Sequence, residues 1–145
     1  MLKPLLSCLL FCSVSIAQPL EGYLSSFDYA ERNGMKIKSY EALELYKAGK
    51  AEFLDIRFKE EYSVWNFPFM KNIPLNELPN RINEIDKDKL IITVCPHYDR
   101  AEIARLYLVT KGYKSRYLTD GLLGLAAYLR GEEAKEFMQE IKNKK

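Results

Sequence analysis

The most informative segment for the architecture of this chain is Leu90-Ile91-Ile92-Thr93-Val94-Cys95-Pro96-His97-Tyr98-Asp99-Arg100-Ala101. Its first five residues are apolar or β-branched and too few for a helix, so they predict a buried central strand. From Ala101 to Lys111 the apolar residues follow helical spacing, and Gly112 ends that element. A strand, a cysteine, a short loop and a helix therefore follow one another directly.

Strands and helices alternate along the rest of the chain as well. Ala51 to Ile56 and Tyr113 to Leu118 are typical of buried strands, and Met35 and Ile37 predict a shorter one. Helices are predicted at 39–49, 58–64, 76–85, 101–111, 122–129 and 134–141, with Ser39 and Asn76 as N-caps of two of them. We therefore expect an α/β, three-layer fold with a central, mainly parallel sheet and helices on both faces.

Length and composition predict one globular domain. The chain has 145 residues, 29% of them charged, and a formal net charge of +2. Positive charge forms no stripe interleaved with aromatic residues, so nucleic acid is not an expected partner. The lysines at 142, 144 and 145 are interpreted as a solvated terminus.

The first seventeen residues predict a secretory signal peptide. Lys3 precedes an apolar run from Leu5 to Ile16, and Ser15 and Ala17 place small residues where a signal peptidase cleaves. An uncleaved membrane anchor is the alternative, but about 12 apolar residues are fewer than the roughly 20 that span a bilayer. We therefore expect a periplasmic or otherwise secreted protein, without membrane attachment after cleavage.

Cleavage would remove two of the three cysteines, Cys8 and Cys12, and leave Cys95 without a disulfide partner. An unpaired thiol in an oxidising compartment is either an inert buried residue or a reactive one. Cys95 follows a strand and precedes a helix N-terminus, where backbone amides, the helix dipole and Arg100 favour an anion. This order predicts a nucleophilic thiolate with a lowered pKa, suited to attack on a sulfane sulfur.

Five short motifs, in order, carry a resemblance to the rhodanese-like domain family. They are Leu54-Asp55-Ile56-Arg57, Glu60-Glu61-Tyr62, Asn72-Ile73-Pro74-Leu75, the loop from Cys95 to Ala101, and Tyr117-Leu118-Thr119-Asp120-Gly121. The resemblance covers about Ser39 to Leu129 and implies a sulfurtransferase that moves sulfane sulfur from thiosulfate or polysulfide through a Cys95 persulfide. The expected organisation is a signal peptide (1–17), a lead-in segment of short helical structure (18–38), the rhodanese-like domain (39–130), and a C-terminal helix and tail (131–145).

The resemblance also implies roles for individual residues. Cys95 is the catalytic nucleophile, and Asp55 gives structural support. The implied substrate-binding residues are Arg57, Pro96, His97, Tyr98, Asp99 and Arg100. The expected partners are a small sulfur-containing anion and a sulfur acceptor, either a protein or a small thiophile, with no cofactor and no metal.

Other functions remain open at this stage. The segment Trp65-Asn66-Phe67-Pro68-Phe69-Met70 replaces the family's usual G-H-I-P-G-A, and Pro96 has no amide hydrogen, which keeps a non-catalytic binding or sulfur-carrier module as the alternative. A phosphatase of related fold would have five residues between cysteine and arginine, where this chain has four. The aromatic residues Tyr62, Trp65, Phe67 and Phe69 either line a substrate mouth or pack in the core.

Overall fold

The structure is a computed structural model and describes residues 17–143. Its strands are β1 (Lys36–Ile37), β2 (Ala51–Asp55), β3 (Lys71–Asn72), β4 (Leu90–Val94) and β5 (Ser115–Leu118). Its α-helices are α1 (Leu20–Ser25), α2 (Tyr29–Gly34), α3 (Ser39–Lys47), α4 (Lys59–Val64), α5 (Leu78–Arg81), α6 (Asp99–Thr110), α7 (Gly121–Tyr128) and α8 (Gly131–Lys142). A 3₁₀ turn, Ile82–Glu84, follows α5. The predicted signal peptide lies, except for Ala17, outside the described residues.

The five strands form one parallel sheet in the order β1-β5-β4-β2-β3. The strand β4 lies in the middle, and its last residue, Val94, is paired with Asp55 at the end of β2. Parallel strands end at the same edge of a sheet, so the residues that follow β2 and β4 are brought together there. The predicted α/β fold with a parallel sheet is confirmed.

Helices cover both faces of the sheet, as expected. One apolar core lies under α3, α7 and α8, and the other lies under α5 and α6. Residues of β4 and the cysteine that follows it alternate between the two cores: Ile92 and Val94 belong to the first, whereas Ile91 and Cys95 belong to the second. The sheet alternation therefore turns Cys95 toward the side of α6.

The aromatic residues near position 70 divide between core and surface. Phe69 is partly buried and packs against the core residues Phe53 and Phe137, with ring centroids 5.7 and 5.0 Å apart. Trp65 remains 36% exposed. Its indole lies over the guanidinium of Arg57, with 4.3 Å between the guanidinium carbon and the ring centroid.

The ends of three helices differ from the prediction. α3 already begins at Ser39, whose N–H donates to Asp120 Oδ2 at 3.3 Å, so Ser39 is not an N-cap. α5 begins at Leu78 and has Glu77 at its N-cap, so the prediction for Asn76 was wrong. α6 begins at Asp99, two residues before the predicted start at residue 101, and has Tyr98 at its N-cap.

A buried arginine connects both short helices of the lead-in segment to the domain. Arg105 of α6 donates to the carbonyl of Ser115 at 3.2 Å and to the Tyr23 hydroxyl at 2.5 Å, and it forms an ion pair with Glu31. These contacts reach both short helices of the segment, α1 and α2. Between residues 17 and 143, no helix combines the length and apolarity that a membrane span requires.

Candidate active site

Cys95 lies directly after β4, in a loop that is held by the start of α7. The N–H of Leu122 donates to the Cys95 carbonyl at 2.9 Å, and the N–H of Leu123 donates to the Pro96 carbonyl at 3.3 Å. Gly121 has a φ of +62°, and a Cβ there would lie 2.1 Å from the His97 carbonyl oxygen. A glycine is therefore required at position 121, because the loop backbone passes directly against it.

The sulfur of Cys95 receives several backbone hydrogen bonds. The N–H groups of His97, Arg100 and Ala101 donate to it, and each lowers the pKa of the thiol. These donors come from the loop and the first turn of α6, where helix N–H groups have no partner within the helix. These are backbone amides of the kind that the sequence predicts around Cys95, and Pro96 contributes none.

The prediction of a lowered thiol pKa was nevertheless wrong. Cys95 has no exposed surface, and burial raises the pKa of its thiol above the usual value. The Asp99 carboxylate raises that pKa further, because its Oδ1 atom lies 3.6 Å from Sγ. The thiol donates to Asp99, and only its protonated form can make this hydrogen bond.

Arg100 is engaged by an acidic side chain from another element. Its two terminal nitrogens donate to the carboxylate oxygens of Glu61 in α4, at 2.7 and 2.9 Å. This pair lowers the pKa of Glu61, chiefly through the hydrogen bonds from Arg100. The positive charge of Arg100, which the sequence predicts to stabilise the Cys95 thiolate, is thus largely balanced by the Glu61 carboxylate.

Asp55 and Arg57 form a buried ion pair beside the site. Both side chains are fully buried, and Asp55 accepts from Arg57 Nε at 3.0 Å and from Nη2 at 2.6 Å. Nη2 also donates to the Trp65 carbonyl at 3.0 Å, whereas Nη1 is buried without a hydrogen-bond partner. Arg57 therefore lies beneath Trp65 instead of projecting into solvent, and its role in substrate binding stays a prediction.

The remaining predicted site residues form the surface of the loop. His97, Tyr98 and Asp99 are exposed, and Pro96 is half-buried. Because Cys95 has no exposed surface, a donor can reach its sulfur only if neighbouring residues move. Within residues 17–143, no group of three or more histidine, cysteine or acidic side chains is placed to hold a metal ion.

Comparison with known proteins identifies the family of this chain. Residues 39–127 match the model of the rhodanese-like domain family. The chain belongs to the rhodanese-like domain family. The match covers the strands β2 to β5 and includes Arg57, Cys95 and Arg100.

Relatives of this rhodanese-like chain include proteins with different names. It is 30% identical over 109 residues to the tRNA uridine(34) hydroxylase of Hamiltonella defensa, covering 71% of this chain and 30% of that protein. It is 28% identical over 71 residues to the thiosulfate sulfurtransferase GlpE of Pseudomonas syringae, covering 49% of this chain and 67% of that protein. The chain thus spans less than a third of the length of the hydroxylase.

Solved structures give the same fold. The human single-domain sulfurtransferase TSTD1 superposes with a TM-score of 0.58 at 19% identity, over 64% of this chain and 96% of that one. The reduced CoADR-RHD protein of Bacillus anthracis has a TM-score of 0.58 at 28% identity, over 67% of this chain and 18% of that one. The rhodanese-like fold of this chain is therefore shared with proteins of different length.

Two features of the site were not found from the sequence. Glu61 was noted only as part of a motif, and its pairing with Arg100 joins residues 39 positions apart. The contact between Asp99 and the thiol depends on the turn at the start of α6, which sequence reasoning placed after Asp99. A carboxylate four residues after the cysteine was the one signal for it.

Proposed function

We propose that this chain is a sulfurtransferase that moves sulfane sulfur from a small donor, thiosulfate or polysulfide, to a thiophilic acceptor through a persulfide on Cys95. The observation that carries the proposal is the set of three backbone N–H groups that converge on Sγ at the end of β4. Such a nest stabilises negative charge on sulfur, first on the attacking thiolate and then on the outer sulfur of the persulfide. The names of several relatives support sulfur transfer in general.

The chemical steps use the residues of the loop. Cys95 loses its proton, and its sulfur attacks the outer sulfur of the donor, whose sulfur–sulfur bond breaks and leaves its electron pair on the departing sulfite or polysulfide. The amides of His97, Arg100 and Ala101 then hold the persulfide. An acceptor thiolate or cyanide attacks its outer sulfur and regenerates Cys95.

Cyanide-dependent thiocyanate release tests this proposal. The full chain is assayed with thiosulfate and with polysulfide, alongside Cys95→Ser as the control. We expect turnover only with the intact thiol, together with a mass increase of about 32 Da on the donor-treated protein, the mass of one sulfur atom. Turnover equal to that of the serine variant with both donors would reject the proposal.

A non-catalytic binding or sulfur-carrier module is the second candidate. The complete burial of Cys95 and the raised pKa of its thiol favour it, because both reduce the supply of accessible thiolate. A carrier would accept one sulfur atom and show the mass increase without turnover on cyanide. A binding module would show neither.

The predicted export to a periplasmic or other extracytoplasmic space is also a proposal. It depends on the apolar run from Leu5 to Ile16, before the first described residue. N-terminal sequencing of the protein recovered from the extracytoplasmic fraction would test it. A mature chain that begins near Gln18 is the expected result.

A further inference from the structure

We infer that Asp99 and Glu61 make the Cys95 site selective for sulfane donors that carry no more than one negative charge, such as thiosulfonates and organic persulfides, over the dianion thiosulfate. This inference rests on the proposed sulfurtransferase activity and names its substrate class. It assigns a role in specificity to two acidic residues, one beside the thiol and one beside the loop arginine.

The first step is the balance of charge around the sulfur. Arg100 contributes one positive charge, but both oxygens of the Glu61 carboxylate accept from it at 2.7 and 2.9 Å. Arg57, the other arginine of the motifs, is paired with Asp55 inside the protein. The carboxylate of Asp99, with Oδ1 3.6 Å from Sγ, has no ion-pair partner among the described residues.

The second step is the effect of that balance on a donor. A donor must bring its outer sulfur to within bonding distance of Sγ, so its remaining charge lies within several ångströms of Asp99. The backbone N–H groups offer partial positive charge at a position that holds one anionic atom, and the outer sulfur of the forming persulfide takes that position. A second negative charge on the donor therefore meets the Asp99 carboxylate without a free guanidinium to balance it.

The reaction with a monoanionic donor is balanced without any other reactant. With methanethiosulfonate, Cys95 Sγ bonds to the outer sulfur, and the bond from that sulfur to the sulfonyl group breaks. Its electron pair leaves with methanesulfinate, and the thiol proton passes to Asp99 Oδ1 and then to solvent. The thiol and methanethiosulfonate together carry a charge of −1. The products are a persulfide anion on Cys95, a methanesulfinate anion and the released proton, which also sum to −1.

Methanethiosulfonate and thiosulfate form a matched pair of probes, because a methyl group replaces one charged oxygen at similar size. The measurement is kcat/KM for each donor with cyanide as acceptor, in the wild type, Asp99→Asn, Glu61→Gln and Glu60→Gln. Glu60 is an exposed neighbour of Glu61 in α4, so its variant changes the net charge equally without altering the Arg100 pair. Melting curves verify that each variant is folded.

The ratio of the two kcat/KM values is the decisive quantity. Asp99→Asn changes the pKa of the thiol for both donors alike, so that effect cancels in the ratio. We expect the variant to raise thiosulfate turnover relative to methanethiosulfonate by about three- to tenfold, as for one extra unit charge in a partly hydrated site. Glu61→Gln should change the ratio in the same direction, and Glu60→Gln should leave it unchanged.

Failure of the inference and failure of the proposed function give different results. If both donors are turned over but the ratio stays within twofold of wild type in Asp99→Asn and Glu61→Gln, the selectivity is refuted while the enzyme remains a sulfurtransferase. If neither donor is turned over above the level of Cys95→Ser, the proposed function itself fails, and the inference fails with it.

Discussion

The buried pair of Asp55 and Arg57 offers a quantitative test of what holds the edge of the sheet together. Arg57→Met removes the guanidinium and keeps much of the side-chain volume. The Asp55 carboxylate then loses the hydrogen bonds from Nε and Nη2, at 3.0 and 2.6 Å, and keeps the backbone N–H of residue 57 at 3.1 Å. A charged group that is fully buried would be left with one partner.

The expected loss of stability follows from these contacts. Each hydrogen bond to a charged group contributes about 1.5–3 kcal/mol, and loss of one partner of a buried ion pair costs about 3–5 kcal/mol. The stacking contact of Arg57 with Trp65 is lost as well. We therefore expect the free energy of unfolding to fall by about 4 kcal/mol, a large part of the roughly 5–15 kcal/mol of a typical domain.

Urea denaturation measures this change. With a slope of about 2 kcal/mol per molar urea, the midpoint should fall by about 2 M. Lys135→Ala is the control, because it breaks an exposed pair with Glu132 and should cost less than about 0.5 kcal/mol. The double variant Asp55→Leu with Arg57→Met should recover much of the loss, since it leaves no unpaired charge.

A loss below about 1 kcal/mol for Arg57→Met would contradict a stabilising role of the Asp55–Arg57 pair. It would mean that the Asp55 carboxylate finds another hydrogen-bond partner in the variant. The kinetics of the same variant address the substrate-binding role that the family resemblance implies for Arg57. A donor KM that is unchanged in the folded variant would contradict that role, whereas a raised KM would support it.

Two further predictions concern the loop and the thiol. Gly121→Ala places a Cβ against the His97 carbonyl oxygen, at a residue with positive φ. We expect the free energy of unfolding to fall by about 2 kcal/mol or more, and Cys95 to be alkylated faster because the loop is displaced. Unchanged melting and an unchanged alkylation rate would contradict this expectation. The alkylation rate of Cys95 should rise with pH, with a midpoint above that of an ordinary thiol because burial and Asp99 raise its pKa. Asp99→Asn should move this midpoint to lower pH, and a midpoint below that of free cysteine in the wild type would refute the raised pKa.

The order of strands, cysteine, loop and helix could be predicted from local patterns. β4 is recognisable because five apolar or β-branched residues stand between charges and a Cys-Pro step. The position of Cys95 at the carboxyl end of a parallel strand follows from that order, and so do the amides at the start of α6. Backbone geometry of this kind depends on neighbours in the chain, which is why the sequence alone is sufficient for it.

The charge and the solvent exposure of the site depend on contacts between distant parts of the chain. Glu61 and Arg100 belong to different helices, and they meet because β2 and β4 are adjacent in the sheet. The same packing buries Cys95 and reverses the expected direction of its pKa shift. Solvation and ion pairing depend on which side chains meet across distant parts of the chain. The fold therefore raises the pKa of a thiol for which the local sequence predicts a lowered one.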